Sequence, residues 1–179
     1  FSTNELDGDK IIFYELKTKG VTLPRQVVFI VPGSGDQGAF DVLNLDSPYR
    51  DYYYHKNIGE KLAKIGYVVY VIENRGWGER SIDTGLHCNE FDVYCSGNVL
   101  GNYLASTGKD LFGLQVTDTL QVLDYIKSRD YVDSSNISLV GLSLGGAISQ
   151  GVAVLDPEVK SVVIASGLVN YYITGGNIS

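Results

Sequence analysis

The sequence predicts an α/β fold, a mostly parallel sheet with helices on both faces. Two patterns carry the prediction. Four apolar runs of strand length, residues 26–31, 67–72, 137–140 and 160–165, are nearly continuous in Val, Ile, Phe and Tyr. Strands buried on both faces read this way, whereas half-solvated strands alternate. Between the runs lie stretches with helical periodicity, and strands alternating with helices imply right-handed crossovers and parallel pairing.

Taken in order, residues 10–16 follow the turn Asp7-Gly8-Asp9 and are expected to form an edge strand. Residues 26–31 form the first fully buried strand. Ile58, Leu62 and Ile65 recur at helical spacing and stop at Gly66, which favours a helix end. Residues 67–72 are the next strand. The stretch 74–108, rich in Gly, Asn and Ser, breaks the alternation and is expected to be an insertion loop over one end of the sheet, where lids and binding loops sit. Phe112, Val116, Leu120, Leu123 and Ile126 keep one apolar stripe through residues 109–129. After the strand at 137–140, residues 144–155 are apolar with small side chains, suited to a helix packed deep against a sheet.

The 179 residues fit a single domain able to bury a core. Phosphate-backbone binding needs clustered Lys and Arg, so at a net charge of −7 nucleic acid is not an expected partner. No apolar run approaches the ~20 residues of a membrane span, so no membrane partner is expected either. The chain begins at Phe1 and contains no methionine, which reads as a processed, trimmed or excised product. Cys88 and Cys95 share one polar loop. A local disulfide would point to a secreted or periplasmic protein; two free thiols would point to the cytoplasm.

The chemistry centres on Ser143. The segment Ile137-Ser-Leu-Val-Gly-Leu-Ser143-Leu-Gly-Gly-Ala147 reads as strand, sharp turn and helix, with a G-x-S-x-G core. Gly141 and Gly145 flank the serine because so tight a turn excludes a Cβ there. The turn lifts the hydroxyl above the sheet, and the following helix directs its positive end at the site. The same serine could instead be an ordinary helix N-cap in a glycine-rich turn. Strand and helix flanks and the third glycine, Gly146, favour the nucleophile. The backbone N–H of Leu144 is then one oxyanion donor. The loop Pro32-Gly33-Ser34-Gly35-Asp36 after the first buried strand supplies the second, with the N–H of Ser34 as candidate; alone it would read as a simple Pro-Gly turn. Losing one such donor typically slows catalysis by ~10²–10³.

Other residues carry two readings each. Arg75 could bind a substrate acid or anchor its loop. Tyr52, Tyr53 and Tyr54 could line an acyl or carbohydrate pocket or pack a loop. His87 with Cys88 and Cys95 matches no common zinc spacing. No metal and no cofactor is expected.

The motifs resemble the α/β-hydrolase superfamily, and most nearly bacterial esterases of the dienelactone-hydrolase and acetyl-xylan-esterase type. The Pro-Gly-Ser-Gly loop, Glu73-Asn-Arg-Gly-Trp-Gly-Glu-Arg-Ser81 (similar to the family's D-x-R-G-x-G-x-S) and residues 132–146 carry the likeness, over about residues 26–167. Glu73 replaces the usual Asp, and Pro32 stands where many relatives have His. The resemblance implies a serine hydrolase of short acyl or acetyl esters, with carbohydrate esters among its candidate substrates. It also implies a triad ordered Ser, acid, His along the chain.

No histidine follows Ser143; His55 and His87 both precede it. Asp156 and Glu158 lie before the next strand, the wrong place for the triad acid. A triad serine without its base loses on the order of 10⁶ in kcat. The run Val162-Val163-Ile164-Ala165 would also be left as an open apolar edge. The sequence therefore predicts a hydrolase fold cut short after the strand that follows the nucleophile helix, completed by a companion C-terminal segment that brings the acid and histidine. Two other readings remain open at this level: a peptidase or amidase of the prolyl-oligopeptidase type, which shares the elbow, and a non-catalytic hydrolase-like binding module.

Overall fold

The computed structural model describes residues 10–20, 24–35, 38–43, 55–81 and 95–167. Their strands are β1 (Phe13–Leu16), β2 (Arg25–Val31), β3 (Val68–Ile72), β4 (Val132–Leu142) and β5 (Ser161–Ala165). The helices are α1 (Ala39–Leu43), α2 (Ile58–Lys64), α3 (Cys95–Ser106), α4 (Leu111–Lys127) and α5 (Leu144–Leu155), with one 3₁₀ turn at Gly78–Arg80. The sheet runs in the order β1-β3-β2-β4-β5. Pairs β2/β3, β2/β4 and β4/β5 are parallel, while β1 lies antiparallel to β3 at the edge.

The apolar runs are continuous because both faces of the central strands are covered. Val27, Phe29 and Val31 point to one face, where they pack with Tyr70, Leu139 and residues of α4 and α5 such as Leu123, Ile126, Ile148 and Val152. Val28 and Ile30 point to the other and meet Val69, Val71, Ala39, Val42 and partly buried side chains of α2. Two residue sets of opposite parity on the same strands give helices on both faces of the sheet.

Local signals mark the helix ends. The Asp110 side chain accepts a hydrogen bond from the Gly113 N–H at 2.7 Å and caps α4. Gly66, at φ 105°, closes the turn after α2. The bounds of α5 coincide with the apolar stretch that predicts it.

Two expectations need correction. Within 74–108, expected as an insertion loop, the described residues 74–81 and 95–108 are not all loop: they hold the 3₁₀ turn and the twelve-residue α3. Their first part is also no surface segment, since Asn74, Arg75, Trp77 and Arg80 are buried. The second concerns β4, which begins at Val132, not near 137. Its polar lead-in is tied by Asp133, which accepts from the Ser135 hydroxyl and the Asn136 amide at 2.6 Å each. The pairing with β2 shifts register between Arg25 and Val27 to take up the extra length. Among the described residues no helix is long and apolar enough to cross a membrane.

Candidate active site

Parallel strands place their carboxyl ends on one side of the sheet, where loops form sites in open α/β folds. β2 and β4 are neighbours, with Val31 opposite Gly141. The loop leaving β2, Pro32 to Ser34, and the turn leaving β4 at Ser143 therefore emerge side by side.

Ser143 stands at φ 54°, ψ −120°, between the end of β4 and the first residue of α5. A serine rarely adopts this conformation, which costs ~1–3 kcal/mol and persists only where the surroundings enforce it. Here they do. The Ser143 N–H donates to the Ala165 carbonyl of β5 at 2.8 Å, and the Ser143 carbonyl accepts from the N–H groups of Gly146 and Ala147. No ordinary N-cap forms, because the side chain makes no capping hydrogen bond and the residue is exposed. Leu144 opens α5, and the first N–H groups of a helix have no carbonyl partner within it.

The glycines explain how close the parts sit. A Cβ on Gly145 would lie 1.9 Å from the Val31 carbonyl oxygen and 2.5 Å from that of Pro32. A Cβ on Gly141 would lie 2.2 Å from the Gly145 carbonyl oxygen. The start of α5 thus rests directly on the backbone leaving β2, and the structure brings Ser143, Leu144 and the Ser34 loop to one place.

The segment from Glu73 to Arg80 walls this site. Arg75 is an anchor: its guanidinium donates to both oxygens of Asp118 on α4, at 3.1 and 2.8 Å, and Arg80 donates to the same carboxylate at 2.7 Å. Gln115 of α4 donates to the Arg75 carbonyl at 2.8 Å. Glu73 is fully buried and accepts from the Ala39 N–H at the start of α1. Burial pushes its carboxyl up to about 8, outweighing that hydrogen bond and the nearby Arg80 charge. Beside Leu144 the wall leaves a cavity of about 480 Å³ lined by Trp77, Asn98, Asn102, Phe112 and Gln115 among others.

One pair escaped the sequence reading. His55 Nδ1 lies 2.9 Å from Asp41 Oδ2, and the His55 backbone N–H donates to the same oxygen at 2.8 Å. The other ring nitrogen, Nε2, accepts from the Gly33 N–H at 3.3 Å. A carboxylate only accepts, so the proton resides on Nδ1 and Nε2 carries the lone pair. Burial holds the imidazole below its usual value, against the opposing pull of Asp41. With Nε2 committed to Gly33, His55 has no lone pair left to serve Ser143 as a base.

His87, Cys88, Asp36 and Tyr52 to Tyr54 lie outside the described residues, as does the side chain of Cys95.

Residues 49–172 match the family model for acetyl xylan esterase (AXE1). The chain belongs to the acetyl xylan esterase family. It is 28% identical over 173 residues to YtaP of Bacillus subtilis (strain 168), whose name describes a hydrolase; the match covers 94% of this chain and 52% of that protein. Among solved structures it resembles the acetyl xylan esterase from Paenibacillus sp. R4, with 22% identity, a TM-score of 0.64 and coverage of 94% of this chain and 48% of the other. Acetyl xylan esterase 1 from Thermoanaerobacterium sp. JW/SL YS485 is similar, also at 22% identity and a TM-score of 0.64, covering 92% and 46%. These structural likenesses establish the α/β-hydrolase fold. The chain spans about half the length of these relatives.

Proposed function

We propose that this chain carries the nucleophile and oxyanion-binding half of a serine carboxylesterase acting on acetyl or other short acyl esters, esters of carbohydrates included. The observation that carries the proposal is the backbone of Ser143, held at φ 54° on the carboxyl side of the sheet. Ser143 Oγ attacks the ester carbonyl, and the N–H groups of Leu144 and Ser34 hold the oxyanion. A histidine takes the serine proton and returns it to the departing alkoxide, which leaves as the alcohol. Water then cleaves the acyl-serine by the same route, releasing the acid.

That histidine and its carboxylate partner belong, in this reading, to a segment C-terminal to residue 167, beyond β5. Two facts support it: residues 144–179 contain no histidine, and the family relatives are about twice as long. Membership of the acetyl xylan esterase family supports the ester substrate. The cavity beside Leu144 supports a polar alcohol, because amide side chains and an indole share its wall.

The test is a fluorophosphonate reaction on the full-length protein, read by intact mass and peptide mapping, alongside hydrolysis of p-nitrophenyl acetate, longer acyl esters and a proline amide. An adduct on Ser143 with acetate cleaved fastest is the expected result. No adduct on Ser143, or cleavage of the amide in preference to every ester, overturns the proposal.

A further inference from the structure

Both ends of one peptide unit in the oxyanion loop are held by buried side chains. The Pro32 carbonyl accepts from Asn74 Nδ2 at 2.6 Å. The Gly33 N–H, the other end of the same planar unit, donates to His55 Nε2 at 3.3 Å. His55 is in turn fixed by Asp41, through its ring and its own backbone N–H. The His55 and Asp41 side chains are only 5% and 2% exposed, and Asn74 is 1% exposed.

A peptide unit is planar. Holding its oxygen on one side and its N–H on the other leaves it no rotation. The next unit carries the Ser34 N–H, and its orientation then depends on Gly33 alone. Gly33 is the residue type with the widest backbone freedom, so an unheld Pro32-Gly33 unit would let the Ser34 N–H wander.

We propose that the Asp41–His55 pair and Asn74 form a clamp on the Pro32–Gly33 peptide that aims the Ser34 N–H at the substrate oxyanion. His55 is a positioning residue in this scheme. It uses the neutral Nδ1–H imidazole, donating to Asp41 and accepting from Gly33, and it transfers no proton. The inference rests on the esterase reading for its catalytic consequence and on geometry for the clamp itself.

The clamp can be tested without a variant. Nitrogen-15 spectra of the ring in the full-length protein at neutral pH should show His55 as the Nδ1–H tautomer, with Nε2 coupled to the Gly33 amide proton. An Nε2–H tautomer or an imidazolium there overturns the clamp. The catalytic consequence is tested with His55→Ala and His55→Gln. Loss of the acceptor should lower kcat by ~10–10² with KM nearly unchanged, since a misplaced donor is felt mainly in the transition state. Glutamine can still accept from the Gly33 N–H and should recover most of the rate. Equal losses in both variants, or an unchanged kcat in the alanine variant, overturn the positioning role. Should His55→Ala not fold, Asn74→Ala removes the other jaw, with the same kcat loss expected and an unchanged kcat overturning the role. A wild-type protein that neither hydrolyses esters nor takes phosphonate on Ser143 removes the esterase reading, and the ring spectrum still decides the clamp.

Discussion

Replacing Asp118 by Asn should unhook the wall of the site from α4, and the sole tryptophan reports it. Asp118 is 2% exposed and accepts three N–H groups from two arginines. The guanidinium side chains of Arg75 and Arg80 are 7% and 4% exposed, so neither can turn to water without moving its backbone. Asparagine keeps the shape but removes the charge, and it aims an NH₂ at a donor. Breaking a buried ion pair from one side costs ~3–5 kcal/mol because the partner charge stays buried, and here two arginines lose the same carboxylate. Trp77 lies between the two arginines in sequence, is 5% exposed, and is the only tryptophan in the chain. Denaturant unfolding of Asp118→Asn should show the loss in stability, and native-state emission should shift to the red. A triple variant with Arg75, Arg80 and Asp118 replaced by Met, Met and Leu should regain much of the stability, as apolar replacements of buried ionic clusters do. A loss below about 1 kcal/mol with unchanged emission would refute the anchoring role.

Three further outcomes follow from the same geometry. Gly145→Ala should cost ~1–3 kcal/mol or more, because the new Cβ would meet backbone oxygens of β2; phosphonate uptake at Ser143 should fall with it, and wild-type stability and labelling would contradict this packing. Ser143→Gly should raise the denaturation midpoint by relieving ~1–3 kcal/mol of backbone strain while abolishing labelling; an unchanged or lowered midpoint would show that the serine is not strained. Glu73 titrates at about 8 in the folded protein against 4.5 for the free side chain. Between those values the folded state holds the extra proton, so stability falls as pH rises, by up to about 5 kcal/mol at about 1.4 kcal/mol per unit. Unfolding from pH 5 to 9 should show that slope in the wild type and a flatter profile in Glu73→Gln.

The sequence read well wherever a signal was local. The elbow needs glycine at fixed offsets from Ser143, and strands covered on both faces need unbroken apolar runs, so both were visible as patterns. The helix α3 was not, because Gly97 and Gly101 look like loop residues. Their smallness serves tertiary packing: a Cβ on Gly97 would sit 2.2 Å from the Trp77 ring. Five-residue α1 is too short to show a period. Glu73 stood out only as a replacement for the usual Asp, whereas its reach to the Ala39 N–H belongs to the fold. Arg75 had two readings, and only a partner on α4, far along the chain, separates them. His55 was hidden for the same reason: Asp41 and Gly33 become its neighbours only when α1 and the loop after β2 are assembled.

The hydrogen bond from the Ser143 N–H to Ala165 has a mechanical meaning. Among the described residues β5 pairs with β4, and its Val163 remains 55% exposed. The Ser143 turn is therefore moored to the neighbouring strand as well as to β4, whose end it continues. What packs against Val163 bears on the stiffness of that mooring, because a disturbance there reaches the serine backbone through one short strand. The strain at Ser143 is a property of β5 as much as of the glycines beneath it.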